Sequence, residues 1–142
     1  MMVNFINDLK NYLQSGFVEH DISVSIRDYI PDGQPVDDSV SVSVASMKTE
    51  REYENFDGGK AAVTEVEFTT VTVGQDGGKT AATRNEDCVT AMKEMFEQDK
   101  VCGEISSVLR TDITDYECPH PISDTDQRYM SVIRIQFTVL MP

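Results

Sequence analysis

Apolar residues recur along the chain at two spacings, and these spacings divide it into helices and strands. The first helix is predicted over residues 3–13, from apolar residues that share one face at the helical period: Phe5, Ile6, Leu9 and Leu13. Gly16 follows the last of them and is expected to end this helix through a positive φ. A second, amphipathic helix is indicated by a stripe with the same spacing: Cys88, Val89, Met92, Met95 and Phe96.

Alternation between apolar and polar residues predicts strands in the rest of the chain. The alternation is cleanest in residues 36–47. There Val40, Val42 and Val44 are expected to face the core, while the serines between them face water or a neighbouring subunit. Residues 129–141 form a long strand with a strongly apolar face, which favours a central position in the sheet. The other strands are predicted over residues 22–26, 63–73 and 105–118.

The order of these elements, α-β-β-β-α-β-β, predicts the α+β class. We expect an antiparallel or mixed β-sheet of about five strands, with the N-terminal helix and the amphipathic helix packed on one face. A length of 142 residues suits a single domain over residues 1–142. Residues 63–73 change their apolar face part-way, which indicates either a bulge or a strand covered on both sides. Turns are expected at residues 101–103 and 119–126.

A long polar segment, residues 48–60, separates the second and third strands and predicts a long hairpin. It exceeds the usual hairpin loop, and loops of this length in compact domains are either functional or disordered. The segment contains two aromatic residues, which in exposed loops often anchor interfaces. It is therefore a candidate contact with a partner, and simple mobility is the alternative. The candidate interface residues are Glu50, Arg51, Glu52, Tyr53, Glu54 and Phe56.

The chain is strongly acidic, with 12 Lys and Arg against 25 Asp and Glu and a formal net charge of −13. Nucleic acids and anionic membranes are bound through clustered Lys and Arg, so neither is expected as a binding partner. No apolar run approaches the roughly 20 residues of a membrane-spanning helix, and the N-terminus lacks the basic start of a secretion signal. We therefore expect a soluble intracellular protein, whose acidity either keeps it in solution or meets a basic partner.

Residues 77–80, Gly-Gly-Lys-Thr, match the last part of the phosphate-binding loop motif and lie between a predicted strand and a predicted helix. In that motif the first glycine would stand where the chain has Val73, because Gly74 comes one place too late. The preceding strand also carries Glu65 and Glu67, whereas an apolar strand normally feeds such a loop. We interpret the stretch from Gly74 to Thr80 as a flexible strand-to-helix connection. Nucleotide binding by this loop is the less favoured alternative.

No residue pattern indicates a catalytic, cofactor or metal site. His20 and His120 are far apart in the sequence, and Cys118 beside His120 lacks a second pair of ligands at zinc spacing. A Gly-x-Ser-x-Gly elbow is absent, and no pair of carboxylates stands out. The cysteines are three in number and unevenly spaced, which argues against a disulfide framework, and Cys88 is expected to act as a small buried apolar residue. We therefore expect a protein that is not an enzyme and needs no cofactor.

The order of the elements resembles that of the tail terminator and minor capsid (head–tail joining) proteins of long-tailed bacteriophages. The segments that carry the resemblance are the opening helix at 5–9, the long strand at 63–73, the helix at 88–96 and the closing strand at 131–139. Together they span nearly the whole chain. The likeness concerns architecture and size, because the family has no catalytic signature. The segment Cys118-Pro-His-Pro has no counterpart in the family's pattern.

The resemblance implies a non-enzymatic structural protein of the virion tail or neck, assembled in the host cytoplasm. It implies a homo-oligomeric ring, commonly of six subunits, that terminates the tail tube and contacts the major tail tube protein and the head–tail connector. DNA would pass an acidic inner surface without specific binding, and no membrane would be involved. The alternative is another morphogenesis protein, such as a head-completion or tail-tube subunit. Subunit contacts would use residues 48–60 and the hydroxyl groups of Ser39, Ser41, Ser43, Thr64, Thr70 and Thr72.

Overall fold

The computed structural model describes residues 2–28, 37–52, 60–74, 80–123 and 128–141 of the chain. These residues form helices that lie against one mixed sheet. The elements, in chain order, are α1 (Met2–Glu19), β1 (Ser25–Arg27), β2 (Ser39–Glu52), β3 (Lys60–Val73), α2 (Ala81–Met95), α3 (Gln98–Glu104), β4 (Val108–Ser123) and β5 (Arg128–Met141).

The sheet has five strands in the order β1-β2-β3-β5-β4. β1 runs parallel to β2, and the other neighbouring strands are antiparallel. β3 pairs with β5 without a register shift, from Lys60 opposite Met141 to Val73 opposite Arg128. The α+β class is therefore confirmed, and so is the interior position of the last strand, because β5 has a partner on each side.

The core lies between α1, α2 and one face of the sheet, which we name the helix face. Side chains alternate along β3, so that Val66 and Phe68 point to this face and are completely buried. Aromatic rings join the layers. The ring centroid of Phe137 lies 5.4 Å from that of Phe5 in α1 and 5.7 Å from that of Phe96 after α2. Such edge-to-face contacts add to the stabilisation from apolar burial.

α1 is longer than predicted, because its apolar face continues beyond Leu13. Phe17, one turn later, is completely buried. Gly16 lies inside the helix instead of ending it, so the predicted glycine cap is wrong. A Cβ added at this position would lie 1.9 Å from Sδ of Met95 in α2. The absence of a side chain at Gly16 therefore leaves room for the flexible Met95 side chain, and a special backbone angle is not the reason for glycine here.

Two predicted turns belong to regular elements. Residues 101–103 are part of α3, where Val101 is completely buried. β4 continues through Pro119 and Pro121 to Ser123, so the loop predicted at residues 119–126 is wrong for 119–123. Proline is tolerated there because β4 is an edge strand, and one side of its backbone needs no partner in the sheet.

The connection predicted at residues 48–60 is shorter at both ends, because strand pairing continues as far as Glu52 opposite Lys60. Residues 53–59 lie outside the described residues. Backbone hydrogen bonds to β3 hold the polar end of β2 in strand geometry, so side-chain polarity alone placed the boundary wrongly.

β3 pairs with β5 without a register shift, and a bulge in this hairpin lies in β2, between Val44 and Ser46. Successive residues of β3, Thr69 to Thr72, are all buried, so the alternative of a strand covered on both sides holds at this end.

Candidate assembly interface

The connection after β3 is held by a single arginine in the first turn of α2. Arg84 donates from Nη2 to the carbonyl oxygen of Val73 at 2.7 Å and from Nη1 to that of Gly74 at 3.1 Å. Its Nε donates to Oδ2 of Asp38 at 2.8 Å. Asp38 precedes β2, and its Oδ1 accepts from the backbone N–H of Val73 at 3.0 Å. The ion pair, with side chains 12% and 15% exposed, thus ties α2 to β2 and β3.

This joint includes both described ends of the candidate phosphate loop. Gly74 has a φ of +68°, which glycine adopts without steric cost, and it begins the turn out of β3. Thr80 caps α2, because its Oγ1 accepts from the N–H of Thr83 at 3.2 Å. Residues 75–79 are not among the described residues. Both ends of the loop are therefore bonded within the chain, as a structural connection requires.

A buried polar network fastens α2 to the two interior strands. Asn85 of α2 is completely buried, and its Nδ2 donates to the carbonyl oxygens of Thr70 and Tyr129 at 3.2 and 3.1 Å. The same group lies 3.2 Å from Oγ1 of Thr72, and the hydroxyl of Ser131 donates to Oδ1 at 2.6 Å. Both ends of the amide are satisfied by β3 and β5, so the network fixes where α2 sits on the sheet.

The hydroxyl groups expected to contact a neighbouring subunit are, with the exception of Ser43, buried within this chain. Thr70 and Thr72 lie on the same face as Phe68, because alternate residues of a strand share a face. They are covered by α2, and Thr72 donates to the carbonyl oxygen of Ala81 at 2.6 Å. This part of the prediction is wrong for Ser39, Ser41, Thr64, Thr70 and Thr72.

The six candidate interface residues fall into two groups. Glu50, Arg51 and Glu52 belong to the last part of β2. Tyr53, Glu54 and Phe56 lie outside the described residues. At this end of the sheet Lys60 pairs with Glu52 on one side and with Met141 on the other. The base of the hairpin, where the predicted contact begins, is therefore held by pairing among β2, β3 and β5.

The second face of the sheet, which we name the charged face, carries cross-strand ion pairs. Arg134 of β5 donates from Nε to Oε2 of Glu67 at 2.9 Å, and its Nη1 lies 3.3 Å from Oδ2 of Asp115 in β4. The hydrogen bond and the charge of Glu67 raise the pKa of the Arg134 guanidinium. Exposed pairs of this kind add little stability, and their main effect is to favour one strand register.

Two exposed apolar side chains lie on the helix face at the edges of the sheet, and sequence reasoning missed both. Val44 of β2 is 41% exposed and Ile113 of β4 is 47% exposed. The alternation that correctly places Val40 and Val42 in the core predicts Val44 to be buried as well. Alternation gives the face to which a side chain points, whereas its cover depends on how far the helices extend. No signal in the sequence identifies these two residues.

Within the described residues, no group of three His, Cys, Asp or Glu side chains is placed to hold a metal ion. The three cysteines are free thiols. Cys88 is buried, as predicted, and burial followed by the charge of Asp38 raises the pKa of its thiol to about 12. A thiol of this kind is a poor nucleophile at neutral pH.

The described residues include no helix with the length and apolar character needed to cross a membrane.

No protein-family model matches the chain, and no curated protein sequence matches it. The solved structures that are similar in fold include the following two. A chain from the virion of a native gene transfer agent particle aligns with a TM-score of 0.51 and 9% identity, over 94% of this chain and 95% of that one. A chain from the sheath/tube terminator of the PVC extracellular contractile injection system, in its extended state, aligns with a TM-score of 0.50 and 11% identity. The second alignment covers 94% of this chain and 56% of the terminator chain.

At identities this low, structural likeness establishes the fold and does not by itself assign a function. The first alignment includes nearly all of both chains, so the arrangement of helices and sheet is shared from end to end. In the second, this chain spans a little over half of the longer protein. The chain therefore has the fold of a gene transfer agent virion chain and of a contractile injection system terminator chain, in agreement with its resemblance to tail terminator proteins.

Proposed function

We propose that this chain is a non-enzymatic structural protein of a virion, where it terminates the tail tube. The observation that carries the proposal is the end-to-end likeness of its fold to a gene transfer agent virion chain. The likeness to a sheath/tube terminator chain supports the terminator role. The protein would thus belong to the tail or neck and be assembled in the host cytoplasm.

We infer that the chain acts as a homo-oligomeric ring. The end of a tube built from symmetric rings presents several equivalent subunits, and a terminator that contacts each of them in the same way must itself be closed and cyclic. Six copies are the number implied by the family resemblance. One side of the ring would contact the major tail tube protein, and the other would join the tube to the head–tail connector.

The charge of the chain supports passage of DNA through such a ring without specific binding. A formal net charge of −13 repels phosphate groups, whereas proteins that hold DNA present unpaired Lys and Arg. On the charged face, Arg134 lies between Glu67 and Asp115, so its positive charge is neutralised within the chain. We propose that this acidity lets DNA move past the protein.

We propose the β2–β3 hairpin as the contact with the tail tube. Its base is held by three strands, because Lys60 is paired on both sides. The chain between these strands carries two aromatic residues, the type that most often anchors an interface. The contact would involve Glu50, Arg51, Glu52, Tyr53, Glu54 and Phe56.

The ring is tested by light scattering after size-exclusion chromatography and by electron microscopy, with and without purified tail tubes. Rings in solution, or rings on the ends of tubes, are expected. Monomers at every concentration together with bare tube ends would contradict the proposal. The hairpin contact is tested with Phe56→Ala, which should form rings but lose tube binding. Ile122→Ala is the matched control, because Ile122 is an exposed apolar residue on β4.

The alternative is a different morphogenesis protein of the same particle, such as a head-completion or tail-tube subunit. It fits the same likeness of fold, because the alignment over nearly the whole of both chains is to a chain of a virion. Co-purification separates the two roles. A terminator should accompany finished tails, whereas a head-completion protein should accompany DNA-filled heads, and a tube subunit should be present in many copies per tail.

A further inference from the structure

On the helix face, one row of side chains is apolar across the whole width of the sheet. The strand register places Val44 of β2 opposite Val66 of β3, and Ile113 of β4 opposite Ile135 of β5. Val66 and Ile135 are themselves opposite each other. These two inner residues are 0% and 1% exposed, whereas the outer two are 41% and 47% exposed. This apolar row therefore ends in an uncovered aliphatic side chain at each edge.

Within the described residues, neither Val44 nor Ile113 has a further strand paired with the outer side of its backbone. β1 pairs with β2 only at Ser39–Ser41, and β4 is the last strand of the sheet. A register shift follows each end directly, between Val44 and Ser46 and between Ile113 and Asp115. Such bulges re-aim side chains and interrupt continuous strand pairing. These edges are therefore better suited to side-chain packing than to a long shared β-ladder.

A groove beside Val44 has the size and lining to receive an aliphatic side chain. It has a volume of about 400 Å³, and its apolar lining comes from Ile6 of α1 together with Val42 and Val44. A branched aliphatic side chain such as that of Ile113 would bury its exposed part there. Burial of the exposed part of such a side chain favours the contact, and less strongly than burial from full exposure would.

The charges near the two ends add little to the repulsion between copies. At the groove, Nζ of Lys10 lies 2.6 Å from Oδ1 of Asp28, so these two charges compensate each other. Near Ile113, Arg110 and Asp112 pair with each other at 2.9 Å on the opposite face of the sheet, away from the contact. Self-association of a chain with net charge −13 is opposed by repulsion. Contact between an apolar side chain and a groove with paired charges keeps the added repulsion small, so a second copy is a suitable occupant of the groove.

We propose that neighbouring copies meet through the two ends of the apolar row, with Ile113 of one copy seated in the groove beside Val44 of the next. The two ends lie at opposite edges of one sheet, so the contact is head-to-tail and generates a ring when the rotation between copies closes. β2 and β4 are antiparallel in the sheet, so copies with the same orientation bring antiparallel edges together. The contact rests on the proposed ring and assigns the surfaces that form it.

Disulfide trapping tests the contact directly. Val44→Cys and Ile113→Cys are combined in a chain that also carries Cys102→Ser and Cys118→Ser, while Cys88 stays because it is buried. Oxidation should give a ladder of dimer, trimer and higher species, because each copy offers one partner of each kind. A disulfide requires Cα atoms about 4.4–6.8 Å apart, so only a close contact is trapped. Each single cysteine variant in the same background should stay monomeric in denaturing gels.

Charge substitution gives an independent test. Val44 and Ile113 are 41% and 47% exposed, so Val44→Asp and Ile113→Lys place their charges in contact with water and both variants should fold. Each alone should raise the concentration needed for ring formation by about tenfold or more, because a charge enters an apolar contact. The double variant should recover assembly, since the new charges meet across the interface. Ile122→Lys, at an exposed position of the same edge strand, is the control and should assemble normally.

The outcomes separate this contact from the proposed function. Rings without a disulfide ladder, or rings that tolerate both single charge variants, would overturn the contact and leave the terminator role intact. Dimers from a single cysteine variant would show a two-fold contact and would also overturn it. Loss of tube binding with intact rings in the Val44→Asp variant would assign the groove to another protein. Absence of rings under all conditions, tube ends included, would remove both proposals.

Discussion

Replacement of Asn85 by alanine should destabilise the protein by about 3 kcal/mol. The change removes an amide group whose two N–H bonds are shared among three acceptors, which costs about 2 kcal/mol at about 1 kcal/mol net for each buried N–H. It also leaves the Ser131 hydroxyl without its acceptor, at a further cost of about 1–2 kcal/mol. The better helix propensity of alanine returns roughly 0.5 kcal/mol. For a domain of this size the loss corresponds to a fall in Tm of about 6–12 °C.

The assay is urea unfolding followed by circular dichroism, because the chain has no tryptophan for fluorescence. Ser131→Ala and the double variant complete a mutant cycle, in which the two side chains should be coupled by at least about 1 kcal/mol. Asn11→Ala, on the exposed side of α1, is the control and should change stability by less than about 0.5 kcal/mol. A loss below about 1 kcal/mol for Asn85→Ala, or additive effects in the cycle, would refute the network.

Three further predictions follow from the same region. Arg84→Ala should lower the free energy of unfolding by about 3–5 kcal/mol in chemical denaturation, because it leaves the charge of the largely buried Asp38 carboxylate unpaired. The double variant with Asp38→Ala should lose less than the sum of the two single losses. Folding raises the pKa of the Cys88 thiol from 9.0 to about 12, so the stability contributed by the protonated thiol is complete below pH 9 and is lost as the pH rises towards 12. Cys88→Ala should therefore make the stability depend less on pH between these values. An unchanged slope in this variant would exclude the effect. Millimolar ATP or GTP with magnesium should leave Tm unchanged, and a reproducible rise would revive nucleotide binding by residues 74–80.

The internal bonding of the chain narrows the surfaces that can serve assembly. Polar side chains that look suitable for subunit contacts are used within the fold, as Thr72 shows by its bonds to Ala81 and Asn85. Conversely, two apolar residues that look like core remain uncovered at the sheet edges, Val44 and Ile113. Assembly contacts in this fold are therefore more readily found from strand order than from residue type.

The sequence by itself determined the class of fold and the identity of most core residues. Period-two alternation is a local property of the backbone, so it directed Val40 and Val42 towards the core before any contact was known, and both are buried. The helical stripe likewise identified the buried side of α2, including Cys88. The order of the elements indicated a terminator-like architecture, which the structural comparisons bear out at the level of the fold.

Only the tertiary structure decided how far each element extends and what covers each face. Gly16 stays helical because α1 continues to the buried Phe17, and β4 runs through Pro119 because it lies at an edge. Val44 is exposed while Val42 is buried, although both obey the same alternation. These properties depend on neighbours that are distant in the sequence. A periodic pattern gives the direction of a side chain, whereas burial depends on whether another element lies in that direction.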